Sequence, residues 1–250
     1  MRTALLLPLA GVFLVLFAPG HAAAAGIDCL QCHGDLAQGK SVHPAVSMGC
    51  EACHTAVDAR DIPHRITNKI AHGLSADQPE LCYGCHDRSM FEKKVVHPAL
   101  GMGCTSCHNP HASKNAKLLK DEPPVLCYGC HDKGPFSGKR VHPPVAAGEC
   151  TTCHTPHSSD NPSLLDKPVN ELCGMCHDDK SSGKHILTGY GLGDRHPTSG
   201  RPDPSRPGMM LSCVSCHTPH SSGGKYLFTE AAGKSGNLCL LCHKKISVRP

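Results

Sequence analysis

All eighteen cysteines of this 250-residue chain fall in pairs separated by two residues, and each of the nine pairs is followed directly by a histidine. In chain order the units are Cys29, Cys32 and His33; Cys50, Cys53 and His54; Cys82, Cys85 and His86; Cys104, Cys107 and His108; and Cys127, Cys130 and His131. Then follow Cys150, Cys153 and His154; Cys173, Cys176 and His177; Cys213, Cys216 and His217; and Cys239, Cys242 and His243. With 20 histidines in the chain, nine such followers would arise by chance on the order of once in ten billion. Whatever this chain folds into must therefore use Cys-x-x-Cys-His as its building unit.

Three cysteine chemistries compete for that unit. A disulfide framework accounts for even numbers of cysteines but gives the trailing histidine nothing to do. Zinc uses C-x2-C as half of a tetrahedral site and needs a second half per ion, which again leaves the adjacent histidine without a duty. Covalent haem accounts for every residue: two thiols at this spacing add to the two porphyrin vinyl groups, and the next residue binds iron. The sequence thus predicts nine c-type haems. The eighteen cysteines are their anchors, and His33, His54, His86, His108, His131, His154, His177, His217 and His243 are the proximal ligands.

Haem also answers a shortage of core. Beyond residue 25, Leu, Ile, Val and Phe make up about 17% of the chain, below what a globular interior requires. Flat porphyrin faces would supply the missing apolar surface, and covalent attachment would restrict the unfolded chain.

The first 25 residues have a basic start at Arg2, an apolar run from Ala4 to Phe17 and a small-residue end, "HAAAAG". That is the pattern of a secretory signal peptide cut after Ala24 or Ala25. The run is shorter than the ~20 residues of a spanning helix. The expectation is an exported, periplasmic protein that does not span the membrane, with outer-membrane association or an extracellular location as the alternatives.

Self-comparison shows a unit of about 45 residues. The pairs of motifs lie at about 29–64, 82–119, 127–165 and 173–227, with a further motif at 239–243, and 26–250 is read as a single elongated domain. Four histidines precede proline ahead of each pair's second motif: His43, His97, His142 and His196. Four follow proline after it: His64, His111, His157 and His220. His72 and His185 lie outside the pattern, so ten candidates exist for nine distal iron positions.

Opposite axial histidines of one haem hold their Cα atoms roughly 12 Å apart, and three residues of extended chain span at most about 10 Å. His111 therefore belongs to a haem other than that of His108, and the same holds for His157 with His154 and for His220 with His217. The His-Pro histidines can reach across the haem of their own unit, although reach alone does not assign them. His185 is read as ligand to the last haem and His72 as the spare. Methionine, the other common axial ligand, is disfavoured by the surplus of histidines.

The pattern "HPxVxxG-CxxCH-xPHxS…LL…LCxxCH" resembles the doubled-CxxCH family of multihaem c-type cytochromes. The resemblance implies a haem-packed fold of mostly irregular loops with a few short α-helices and negligible sheet. It implies electron transfer through low-potential, mainly bis-histidine haems. The implied partners are a membrane quinol dehydrogenase on one side and a terminal reductase or a porin–cytochrome conduit on the other. A multihaem reductase would need one open distal position, and a haem filament would need protomers that share ligands; both stay open at this point.

The formal charge of +4 is no nucleic-acid signal, because two propionates per haem would reverse it. "AKLL" and "PSLL" are read as the starts of short helices leading into the next motif.

Overall fold

The computed structural model of the chain describes residues 27–181, 185, 196–229 and 238–243. The segment read as a leader, 1–25, lies outside them.

Every Cys-x-x-Cys-His unit folds as one helical turn. In all nine, the histidine N–H donates to the carbonyl of the first cysteine, at 2.9 to 3.1 Å. One turn places residues i, i+3 and i+4 on the same face, so both thiols and the imidazole of each unit point to one side. The first motif of each unit extends this turn into a short α-helix: α1 (Leu30–His33), α2 (Glu80–Tyr83), α3 (Val125–Tyr128) and, after a one-turn α4 (Pro143–Ala146), α5 (Val169–Gly174). Pro79, Pro124 and Pro168 precede α2, α3 and α5, where a residue without an N–H costs the helix nothing. A further turn, α6, spans Asp178–Ser181. Second motifs form a single 3-10 turn, and at 50–52 and 104–106 this turn follows a glycine at φ 97° or 87°. Gly49 and Gly103 there adopt a backbone that a side chain would disfavour.

Strands are two residues long: β1 (Ser41–Val42), β2 (Val57–Asp58), β3 (Arg65–Ile66), β4 (Val95–Val96), β5 (Ala112–Ser113), β6 (Arg140–Val141), β7 (Ser158–Ser159) and β8 (Ser221–Ser222). They form four antiparallel pairs: β1 with β5, β2 with β3, β4 with β7 and β6 with β8. Three of the four pairs join one unit to the next, and β2–β3 is a local hairpin within the first. This is the sparse, loop-dominated architecture expected of the family.

Ala56 and Ala112 are the buried apolar residues among those described, whereas the buried polar ones include Ser113, Asn115, Ser158, Ser159, Asp203 and Ser222. They tie a loop that recurs after the Pro-His histidine. Ser113 Oγ donates to the Leu119 carbonyl at 2.5 Å, and Asn115 Nδ2 donates to the same carbonyl at 2.9 Å and to that of Lys120 at 3.0 Å. Ser159 and Asn161 repeat the arrangement on the Leu165 carbonyl, and Ser222 repeats it on that of Phe228. Buried backbone carbonyls must be paired, and here short polar side chains pair them.

"AKLL" and "PSLL" are not helix starts. Residues 116–118 and 162–164 form single turns with Lys117 and Leu118, and Ser163 and Leu164, at φ 54° to 58°. Proline at 123–124 and at 168 separates them from the helices that follow. The Gly/Pro-rich insertion of the fourth unit is ordered over 201–211. Leu211 N–H donates to the Arg201 carbonyl at 2.8 Å and Asp203 N–H to that of Met209 at 2.8 Å. Inside, Asp203 pairs with Arg206 at 2.7 Å, with its side chain fully buried. Arg206 reaches on to Ser215 Oγ at 2.7 Å, inside the eighth motif.

Candidate functional site

The inter-unit strand pairs end on histidines. β1 and β5 pair Val42 with Ala112, and one residue further the His43 N–H donates to the His111 carbonyl at 2.8 Å. The His97 N–H bonds the His157 carbonyl at 2.8 Å in the same way, and the His142 N–H bonds that of His220 at 2.9 Å. Each bond thus joins a His-Pro histidine of one unit to the Pro-His histidine of the next, and their rings then go to different motifs.

Those rings face motif histidines across a gap of constant width. Centroids lie 6.0 Å apart for His54 and His111, 6.1 Å for His86 and His43, 6.0 Å for His108 and His157, and 6.1 Å for His131 and His97. They lie 6.0 Å apart for His154 and His220, and 6.2 Å for His177 and His142. At the ends, His33 faces His64 at 5.9 Å, His217 faces His185 at 6.3 Å, and His243 faces His196 at 6.2 Å. Among the described residues, every motif histidine thus faces one non-motif histidine, and none is shared.

A metal ion bound on opposite sides by two imidazole nitrogens at about 2.0 Å each, with the ring centre ~1.1 Å beyond each nitrogen, separates the centroids by roughly 6.2 Å. The observed gaps fit an iron held between each pair. Direct ring stacking does not explain them, because stacked rings slide into closer contact and do not hold this spacing nine times. No two of the eighteen cysteines form a disulfide, and one helical turn sets each pair on the same face as its motif's histidine, as covalent attachment of a porphyrin needs.

Several surroundings favour neutral imidazoles with a free lone pair, the form that binds metal. Burial first, and then the facing motif histidine, lowers the pKa of His111, His157 and His220; the same two causes act on His142 and His185. The first cysteines of the two motifs within one unit also touch. The hydrogen bond with Cys50 pushes the Cys29 thiol up, and burial followed by the nearby Cys104 pushes Cys82 up to about 11. Burial and then Cys150 push up Cys127, and the hydrogen bond with Cys213 pushes up Cys173. The same bond lowers the Cys213 thiol to about 7.

The second-motif histidines are fixed from behind. His54 Nδ1 lies 2.8 Å from the His72 carbonyl, His108 Nδ1 2.9 Å from that of Lys117, His154 Nδ1 2.9 Å from that of Ser163, and His217 Nδ1 2.7 Å from that of Tyr226. A carbonyl accepts, so Nδ1 carries the proton and Nε2 is the free donor towards the metal. His72, surplus in the sequence, stands where Lys117, Ser163 and Tyr226 stand in the other units; its carbonyl takes part and its imidazole is exposed.

One assignment that the sequence left open is made by the structure, and another differs from the sequence reading. The His-Pro histidines reach the first motif of the following unit and not that of their own, and before His43, His97 and His142 a short strand is committed to a partner strand in that following unit. His185 faces His217, while the last motif's His243 faces His196. The methionines near the motifs, Met48, Met102, Met175, Met209 and Met210, are all more than half exposed. The four carbonyl acceptors were not legible, since four different side chains occupy those positions.

Comparison with known proteins agrees with this geometry. The model of the family described as "Doubled CXXCH motif" matches residues 43–91, 97–135, 142–182 and 206–248, well over half of the chain. Each matched segment encloses the second motif of one unit and the first motif of the next. These are the two motifs whose facing histidines lie in one segment of chain or, in three cases, are joined by the strand ladders. The chain is also 31% identical over 124 residues to the multiheme cytochrome MtrA of Shewanella baltica (strain OS185). That match covers 42% of this chain and 37% of the relative, so it spans little more than a third of the relative's length.

Proposed function

The chain belongs to the doubled-CXXCH family; from that premise we propose that it is a multihaem c-type cytochrome that carries electrons and holds nine haems, each between two histidines, in an extracytoplasmic relay. The observation that carries the count is the one-to-one pairing of nine motif histidines with nine others at a constant 5.9 to 6.3 Å. In this reading each ligand pair spans one ring gap, and His72 ligates nothing. A haem between two imidazoles supplies one-electron Fe(III)/Fe(II) chemistry at low potential with both axial positions filled. The protein holds both imidazoles by backbone bonds, so little rearranges on electron transfer.

The residues set the order of the relay. Within a unit, contacts between the cysteines of successive motifs, such as Cys82 with Cys104, bring the two motifs together. Between units, ladders such as His97 with His157 do the same. Alternation of the two junctions leads from the first motif to the eighth, and His196 ties the ninth motif to the segment before the eighth.

The donor we propose is a membrane quinol dehydrogenase and the acceptor a terminal reductase or an outer-membrane porin–cytochrome conduit, with the periplasm as the location. No helix among the described residues is long and apolar enough to cross a membrane. The carrier reading is favoured over a reductase because every motif histidine has a facing partner, which leaves no distal position open. Intact mass of the mature protein should show nine covalent haems, and the reduced protein should bind no CO. A lower haem count, or a stoichiometric CO shift, would overturn the proposal.

A further inference from the structure

Four residues of unrelated type hold the same unfavourable backbone. His72, Lys117, Ser163 and Tyr226 sit at φ 59°, 54°, 57° and 54°, the left-handed region that non-glycine residues avoid. The side chains of His72, Lys117 and Ser163 make no hydrogen bond among the described residues, and that of Tyr226 makes only a ring contact with Phe228. What the four share is the main-chain carbonyl placed 2.7 to 2.9 Å from the Nδ1 of a second-motif histidine. A strained conformation that recurs in four units across four side chains is retained for its backbone.

The first motifs have no counterpart. His33, His86, His131, His177 and His243 are exposed, whereas His54, His108, His154 and His217 are half-buried. Among the described residues, the Nδ1 atoms of the first group meet no protein acceptor. The two environments alternate along the chain.

We propose that the carbonyls of His72, Lys117, Ser163 and Tyr226 are positioning groups that hold every second haem of the relay at a lower potential than its proximal histidine would otherwise give. The inference rests on the bis-histidine haem reading above. A fixed carbonyl acceptor shifts the imidazole towards imidazolate character and makes Nε2 a stronger donor, which favours Fe(III) over Fe(II). In a half-buried site that bond is stronger than one to exchanging water. On the proximal side the lower setting thus recurs at every second motif, while at the first motif the facing His64 has an acceptor of its own, the Asp61 carbonyl 2.8 Å from its Nδ1.

The test uses the mature holoprotein. The triple variant Lys117→Pro, Ser163→Pro and Tyr226→Pro fixes φ near −65° at each position and displaces the three carbonyls, while His72 stays as an internal reference. None of these three residues donates a backbone hydrogen bond among the described residues, so proline removes no known bond. In a spectroelectrochemical titration three of the nine haems should shift towards Fe(II) by about tenfold in equilibrium constant, ~59 mV for one electron. The conservative variants, glycine at the same positions, permit the left-handed backbone and should restore the original titration. Unchanged potentials in the proline variant, or equal shifts in both variants, would overturn the proposal.

If the proline variant does not mature, the unmodified protein decides. In its reduced, diamagnetic form the Nδ1 protons of His54, His108, His154 and His217 should exchange with solvent at least tenfold more slowly than those of His33, His86, His131 and His177. Equal rates would overturn it. Failure of the underlying haem reading shows separately, as missing haem mass or high-spin iron in the unmodified protein.

Discussion

Replacing His157 by alanine should open one iron position, and it should be the one at Cys104, Cys107 and His108, not the one at His154 three residues away. His157 faces His108 at 6.0 Å, and His154 is already faced by His220. The His108–iron–His157 link acts as a cross-link closing a loop of about 49 residues, which in the chain-entropy picture stabilises the fold by about 4 kcal/mol. That is an upper bound, because the ladder from His97 to the His157 carbonyl at 2.8 Å persists in the variant and constrains the same loop. The reduced variant should bind one CO per chain, and its unfolding free energy should fall by no more than that bound.

Two backgrounds make the assignment testable. In a chain lacking the fourth motif (C104A, C107A and H108A), adding His157→Ala should create no new CO site. In a chain lacking the sixth motif (C150A, C153A and H154A), the same change should still create one. The reverse outcome, with the CO site following the sixth motif, would refute the interlocked ligation.

His72→Ala should leave all irons low-spin while His185→Ala should open one, as read by CO titration; equal behaviour would remove the distinction between the two unpatterned histidines. Gly73→Ala should destabilise by about 2 kcal/mol, because Gly73 sits at φ 64° and a Cβ there would lie 2.7 Å from Val57 Cγ2; a thermal melt measures it. Asp203 is buried, which by itself raises its pKa, but hydrogen bonds from Ser215, Ser205 and Arg206 outweigh burial and hold it well below the usual carboxylate range. A depressed folded-state pKa stabilises above the unfolded value of about 3.9 and loses that contribution as pH falls below it. Proteolysis of the 201–211 loop should therefore accelerate below that pH, and Asp203→Asn should be susceptible at all pH values and lose the dependence. Protein expressed without haem attachment should show no cooperative melt, since the buried apolar residues among those described are two alanines.

The motifs were legible because their chemistry is local: two thiols and an imidazole on one helical turn need nothing from the rest of the chain. The exclusion of His111 from the haem of His108 was legible for the same reason, since a three-residue reach is a property of the backbone alone. The partner of His43 was not legible. Its reach admits the haem of His33, and what sends its ring to His86 is a two-residue strand paired with residues 112–113. Strands this short carry no alternation for a sequence pattern to reveal. His72 was visible as a surplus but not as an acceptor, because its role lies in a carbonyl that every residue type possesses.

The stagger between units explains the two unpatterned features at the ends. Each His-Pro histidine serves the next unit's first motif, and each Pro-His histidine from the second unit onward serves the previous unit's second motif. Within the chain given, no earlier unit offers a second motif for His64 or a His-Pro histidine for His33. The two are matched to each other at 5.9 Å, and the insertion after His54 folds β2 back on β3 in place of the missing inter-unit ladder. The fourth unit has no later Pro-His histidine for His217 within the chain given, and His185 fills that position at 6.3 Å. His196 then continues the regular rule by serving His243, which makes the ninth motif the first motif of a fifth unit. On this rule a further unit appended after residue 250 would require its own Pro-His histidine to compete with His185 for His217. The array thus extends by exchange of one ligand, without rebuilding the units before it.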